Sequence, residues 1–186
     1  MNAKSNLEFA LIGLLKQKPQ SGYDLRKTFI TTAMRHYSDS PGSIYPALRR
    51  LEARGWIAAE AESPHEAADP RKRRAYRLTP AGEASLVRWL EMPVTRNDVI
   101  FEGSELMLRF AYMDGNVPRS SALRFLDQFE RELSLYIGEL RAQLEQMSSK
   151  LPAHTGVLAF QSGIEQMEAQ IAWAQKARAL LGKESS

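Results

Sequence analysis

Ser40-Pro41-Gly42-Ser43-Ile44-Tyr45-Pro46-Ala47-Leu48-Arg49-Arg50-Leu51-Glu52-Ala53-Arg54-Gly55 decides how this chain folds. Ile44, Ala47, Leu48 and Leu51 recur at helical spacing and mark one apolar side. Ser43, Tyr45, Arg49, Arg50 and Arg54 fall largely on the other, a basic and hydrogen-bonding face. Gly55 is the left-handed stop that ends the helix. Two starts are open. With Ser43 as the N-cap, Pro46 lies in the first turn and costs little; with Pro41 as the first helical residue, Pro46 kinks the helix.

Upstream, Leu7, Ala10, Leu11, Leu14 and Leu15 repeat at helical spacing from Asn6 until Lys18-Pro19, which predicts a first, buried helix. Ser21 before Gly22-Tyr23-Asp24 is an S-x-x-D capping box that opens a second helix through Leu25 and Phe29 to about Ala33. Downstream, Trp56-Ile57-Ala58-Ala59-Glu60 and Ala75-Tyr76-Arg77-Leu78 read as two short strands. The loop between them contains Pro64, Asp69 and Pro70, then the basic arm Arg71-Lys72-Arg73-Arg74. Thr79-Pro80 supplies a cap and a first-turn proline for a fourth helix carrying Leu86, Trp89 and Leu90. Met92-Pro93-Val94-Thr95-Arg96-Asn97 breaks the pattern and predicts a boundary between domains 1–92 and 93–186.

The second half contains no convincing strand. Leu106, Phe110 and Met113 suggest a fifth helix, separated by Gly115-Asn116-Val117-Pro118 from a long one. In the long helix Leu126, Phe129, Leu133, Tyr136, Leu140 and Met147 form a heptad-like stripe that ends before Pro152. A last helix repeats the pattern with Phe160, Ile164, Met167, Ile171 and Ala174. An isolated antiparallel pair hides both stripes poorly, so a second chain is the economical cover, with packing against helix five as the alternative. Leu126, Phe129, Leu133, Tyr136, Leu140, Ile164, Met167 and Ile171 are the predicted dimer contacts.

The 186 residues, 44% hydrophobic and 25% charged, have the composition of an ordinary globular chain. With no cysteine, disulfide scaffolds, thiolate metal sites and cysteine nucleophiles are excluded. No run approaches the ~18 apolar residues of a membrane span, so a cytoplasmic protein is expected. The formal charge of +3 conceals an asymmetry: residues 1–91 hold 15 basic and 10 acidic side chains, and residues 92–186 hold 10 and 12. A basic first half and a slightly acidic second suggest that the first meets a polyanion.

Three helices followed by a hairpin with a basic arm make a winged helix-turn-helix, in which the third helix enters the major groove and the wing meets the backbone. The predicted fold is therefore mainly α with a small β-hairpin: an N-terminal winged domain for DNA, then a C-terminal antiparallel, coiled-coil-like dimerisation domain. Arg49 and Arg50 suit guanine or phosphate, and the Ser43 and Tyr45 hydroxyls suit phosphate oxygens. Arg71, Lys72, Arg73 and Arg74 add affinity through counterion release without reading sequence.

Phe9-Ala10-Leu11-Ile12-Gly13-Leu14-Leu15, Ser21-Gly22-Tyr23-Asp24-Leu25, the Ser40 to Leu48 stretch with Arg50-Leu51-Glu52 and Gly55, and Arg74-Ala75-Tyr76-Arg77-Leu78-Thr79-Pro80-Ala81-Gly82 resemble the PadR family of bacterial transcriptional regulators. The carboxy-terminal helices, ending near Ala172-Trp173, are more loosely similar to the dimerisation region of its longer members and of virulence-activator relatives. The resemblance implies a dimeric regulator, most often a repressor, that binds an inverted repeat in promoter DNA and in many members is released by a small molecule. It implies that Ser40, Gly42, Ser43, Tyr45 and Arg49 face the groove and nearby phosphates, that Tyr23 stands beside the backbone, and that Arg71, Arg73 and Arg74 form the wing contacts. The acidic stretch from Glu60 to Asp69 departs from the family, and its charge opposes close approach of the wing to phosphates.

A small aromatic effector would stack well on Trp89, Phe101, Phe110, Tyr112 and Trp173 with Met107 and Met113; Trp89, Phe110, Met113 and Trp173 are the predicted lining. A rival reading is a small-molecule-binding helical dimer whose winged domain contacts proteins. An enzyme is not expected: His36, His65 and His154 lack metal-ligand spacing, no Gly-x-Ser-x-Gly elbow or phosphate-binding glycine loop occurs, and no cofactor or metal is called for.

Overall fold

The computed structural model describes residues 3–32, 34, 37, 41–60, 74–150 and 154–183. They divide into two compact units, Met1–Leu90 and Glu91–Ser186. The first contains α1 (Ala3–Gln17), β1 (Gln20–Ser21), α2 (Gly22–Thr31), α3 (Ile44–Ala53), β2 (Ile57–Ala59), β3 (Ala75–Leu78) and α4 (Pro80–Leu90). The second contains α5 (Arg96–Phe101), α6 (Gly103–Ala111), α7 (Arg119–Lys150) and α8 (Thr155–Lys183). The protein is thus mostly helical with a small antiparallel sheet, a winged helix-turn-helix followed by a long helical region.

The core of the first unit is built from the apolar stripes that periodicity identifies. Ala10, Leu11, Ile12, Leu25, Ile44, Ala47, Leu48, Leu51, Leu86 and Leu90 are buried. Phe9 of α1 stacks on Trp89 of α4 with ring centroids 4.2 Å apart and planes at 2°, which locks the first and last helices of the unit together. Trp89, expected at an effector pocket, is instead 2% exposed and committed to this stack.

The sheet has three strands in the order β1-β3-β2, one more than the expected hairpin. Gln20 and Ser21 pair with Tyr76 and Ala75, and Ile57 pairs with Leu78. A two-residue strand has no periodicity to read, and Ser21 is already legible as a helix cap. It performs both roles: its hydroxyl accepts from the Asp24 amide at 3.2 Å and donates to the Asp24 carboxylate at 2.6 Å. Helix α2 then stops at Thr31, short of the expected Ala33, which lies outside the described residues. Thr28, Thr31 and Thr32 hydroxyls donate to the carbonyls of Asp24, Lys27 and Thr28, a local competition that weakens helix propagation.

The α-helical part of α3 begins after Ser43, but Ser43 is itself in helical conformation and its side chain makes no cap hydrogen bond. A 3-10 turn at Pro41–Ser43 leads into a helix whose first residue is Ile44. Pro46 is therefore in the first turn, where its missing N–H is one the helix cannot satisfy anyway. At the other end Gly55 has φ +70°, the Trp56 amide donates to the Leu51 carbonyl, and the Gly55 amide donates to Glu52. This is the Schellman arrangement, and it turns the chain directly into β2.

Gly82 shows why α4 approaches that corner so closely. A Cβ on Gly82 would lie 2.1 Å from the Trp56 carbonyl oxygen, so only glycine fits. Thr79 caps α4 by accepting from the Gly82 amide, and its own amide donates to the same Trp56 carbonyl at 3.0 Å.

In the second unit α7 and α8 run antiparallel, with Arg141 bonded to Glu168 and Arg178 to Asp127 and Glu130. Leu126, Phe129, Leu133 and Ile164, expected at a dimer interface, are at most 3% exposed within the chain itself. Ile137 is buried where the heptad pattern expects Tyr136, because a helix of 3.6 residues per turn drifts from a strict seven-residue repeat. Helix α5 begins in the last two residues of the segment expected to be a plain break and continues past it. Its signal is Thr95-x-x-Asp98, which forms a reciprocal capping box, but six residues are too few to show periodicity.

Candidate nucleic-acid interface

The apolar side of α3 is entirely buried, so its other side is what the first unit presents outward. Tyr45 is 44% exposed and Arg49 is exposed. Gly42 is exposed and Ser43 half-buried immediately ahead of them. Tyr23, at the start of α2, is 43% exposed. Gly22 joins the two helix starts: a Cβ there would lie 2.8 Å from the Tyr45 ring, and its absence lets the ring lie on the first residue of α2. The structure therefore brings Tyr23, Gly42, Ser43, Tyr45 and Arg49 onto the outward surface around the beginnings of α2 and α3. Ser40, Arg71, Lys72 and Arg73 lie outside the described residues.

Two expected contacts have partners within the unit. Glu8 of α1, 5% exposed, accepts from Arg50 Nε and from an Arg54 terminal nitrogen, both at 2.6 Å. Arg74 donates to Glu52 of α3 and lies over the Tyr76 ring. Glu8 escapes a sequence reading because it sits among buried neighbours in a stripe that reads as plain scaffold. Its carboxylate is tolerable there because two guanidiniums satisfy it. The trio carries a net charge of +1 and pins the C-terminal half of α3 to α1. Arg49, by contrast, forms no ion pair among the described residues.

Residues 11–88 match the model of the transcriptional regulator PadR-like family. The match covers 78 of the chain's 186 residues, all of them in the first unit. That stretch runs from the middle of α1 through the sheet into α4. The chain is 24% identical over 188 residues to the negative transcriptional regulator PadR of Bacillus subtilis, covering 96% of this chain and 98% of that one. It is 51% identical over 50 residues to the transcriptional regulator Rv3488 of Mycobacterium tuberculosis, covering 27% of this chain and 43% of that one. Among solved structures, Bacillus subtilis PadR in complex with operator DNA is 21% identical, covers 94% of this chain and 98% of its own, and has a TM-score of 0.42.

The second unit holds a cavity of about 350 Å³ lined by Phe110, Ala111, Met113, Asp114, Val117, Arg119, Ala122 and Leu181. Phe110 and Met113 are expected lining residues. Trp173 packs edge-on against Phe110, 5.3 Å between centroids, and so backs the wall. Tyr112 is buried, Met107 half-buried and Phe101 72% exposed. Beside the cavity's helices, Arg109 is 2% exposed, bonded to the Met92 carbonyl and placed over the Phe125 ring. Burial lowers the Arg109 pKa, and the Glu105 and Asp98 carboxylates pull it back up. Among the described residues no group of acidic or histidine side chains is arranged to hold a metal, and no helix is long and apolar enough to cross a membrane.

Proposed function

We propose that this chain is a PadR-like transcriptional regulator, a cytoplasmic homodimer that binds an inverted-repeat operator through α3, acts as a repressor, and is released by a small aromatic effector. The observation that carries the reading is α3 itself: Ile44, Ala47, Leu48 and Leu51 hold it in the core while Tyr45 and Arg49 stand outward. A helix so held enters a major groove without disturbing its own domain. Tyr23, Gly42, Ser43 and Tyr45 then position the helix on phosphates, and Arg49 reads a base edge. Arg50, with its Nε on Glu8, keeps its terminal nitrogens for the backbone, and Ser40 and the arm Arg71, Lys72, Arg73 and Arg74 add contacts of the same kind. The repressor role follows the name of the Bacillus subtilis relative.

Dimerisation is supported by apolar side chains that the chain leaves uncovered on its long helices: Leu135, Leu158 and Leu180 are more than half exposed. Tyr136, Leu140, Met167 and Ile171 are half-buried. The effector reading is supported by the 350 Å³ cavity, whose size and mostly apolar lining suit a small molecule.

The test is gel retardation of the chain's own upstream DNA, with sedimentation of the same sample. Retardation at low salt, a mass of twice 21.0 kDa, and a loss on the order of 1–3 kcal/mol on Arg49→Ala are expected. No retardation at low salt overturns the DNA reading, and a 21.0 kDa species at micromolar concentration overturns the dimer.

A further inference from the structure

We propose that Arg109 couples occupancy of the second unit's cavity to the backbone of residues 92–94, the stretch by which the chain enters that unit. The proposal rests on the effector reading above and says how an occupant of the cavity is felt outside it.

The first observation is how the second unit holds its own beginning. Glu91 is its first residue, and Glu91, Met92 and Pro93 are exposed. Backbone groups in such a stretch commonly pair with water, yet here side chains of α6 and α7 take hold of it. Arg109 of α6 donates to the Met92 carbonyl. The Val94 amide donates to Gln128 Oε1 at 2.9 Å, and the Ser121 hydroxyl donates to Glu91 Oε1 at 3.2 Å. Arg124 donates in turn to the Ser121 hydroxyl at 2.9 Å. Ser121, Arg124 and Gln128 are spaced at steps of three and four and so share one side of α7. Thr95, next along, is held differently: its amide donates to Asp98 at 2.8 Å inside the capping box of α5.

The second observation is an unbroken run of contacts from the cavity to Arg109. Phe110 lines the cavity, and its ring centroid lies 5.8 Å from that of Phe125. The Arg109 guanidinium sits over the Phe125 ring, 5.4 Å from its centroid. Arg109 and Phe125 are 2% and 3% exposed, so neither moves unless its neighbours do. Arg119 and Ala122 line the same cavity at the start of α7, so that helix carries both cavity wall and grip. A molecule that fills the cavity displaces Phe110, the displacement passes through Phe125 to the guanidinium, and the hold on the Met92 carbonyl slackens. Packed side chains of this kind are a physical route for coupling, and this one ends on the segment that follows α4. Arg109 is a positioning residue: it acts through Phe125 and does not line the cavity itself.

The experiment reads amide hydrogen exchange by nuclear magnetic resonance in the full chain. Leu181→Trp fills part of the cavity from the α8 wall and stands in for an occupant, and Ala111→Phe, at an exposed lining position, is a second filler that spares the core. In either variant the Val94 amide should exchange about fivefold faster, the net worth of one hydrogen bond. The Thr95 amide, held by Asp98, is the unmoved reference. Adding Phe125→Leu, which removes the ring between cavity and guanidinium and keeps an apolar side chain there, should abolish the effect of the filler on Val94. Toluene added to the parent chain is the small aromatic probe and should act as the fillers do. Val94 exchange unchanged by the fillers overturns the coupling, as does Val94 speeding together with Thr95, which reports a general loosening. An effect that survives Phe125→Leu overturns it too, and so does toluene that shifts the Met113 methyl resonance and leaves Val94 unmoved. If toluene moves no resonance while the fillers speed Val94 alone, the coupling stands and the reading of the cavity as a site for a small aromatic effector falls.

Discussion

Replacing Glu8 by glutamine tests the internal clamp on α3 and its cost to DNA affinity in one variant. The carboxylate makes two charge-assisted hydrogen bonds of 2.6 Å, to Arg50 and Arg54. Fully buried, such bonds are worth about 1.5–3 kcal/mol each. The arginines are 38% and 47% exposed, which draws the value towards the fraction of a kilocalorie typical of surface pairs, and glutamine retains one acceptor. Glu8→Gln should therefore destabilise the first unit by about 1–2 kcal/mol, or about 5–15 °C in melting temperature for a domain of this size.

The same change raises the net charge of the trio from +1 to +2 without removing a DNA contact. The salt dependence of DNA binding should steepen by up to about one unit of slope, and binding at low salt should tighten. Circular dichroism melting gives the first number and anisotropy titrations at several salt concentrations give the second. A variant that melts within about a degree of the parent refutes the clamp, because a nearly buried carboxylate bonded to two guanidiniums cannot be neutralised at no cost. A weaker salt dependence refutes the electrostatic argument, since the only formal change is the loss of a negative charge.

Two further changes probe the packing. Gly82→Ala forces a Cβ to within 2.1 Å of the Trp56 carbonyl, so the corner between β2 and α4 must open; a loss of about 1–3 kcal/mol is expected, measured by urea unfolding. Phe129→Ala empties a site that is 1% exposed and flanked by Phe125 and Trp173, and should cost about 3–5 kcal/mol in the second unit, with the transition of the first unit unmoved in calorimetry.

The sequence by itself determined the four helices and the hairpin of the first unit, though not β1, because helices with a buried stripe and a capped start write their period and their ends into the chain. Ile44 to Leu51 and the caps at Ser21 and Thr79 are cases where a local signal suffices. Residues 11–88, the stretch that matches the PadR-like family model, are where those signals lie. The tertiary structure decided which of the outward cations have partners. Glu8 and Arg50 are 42 positions apart, and no local pattern tells that one carboxylate on α1 takes up two guanidiniums of α3. It likewise decided that Trp89 is spent on Phe9, and that Leu126, Phe129 and Leu133 close on their own chain. Amphipathic spacing reports that a side chain needs cover; it carries no information about whether the cover comes from the same chain or another. Charge follows the same rule: a basic face is legible from neighbours on one helix, whereas the acids that cancel part of it arrive from elsewhere in the fold.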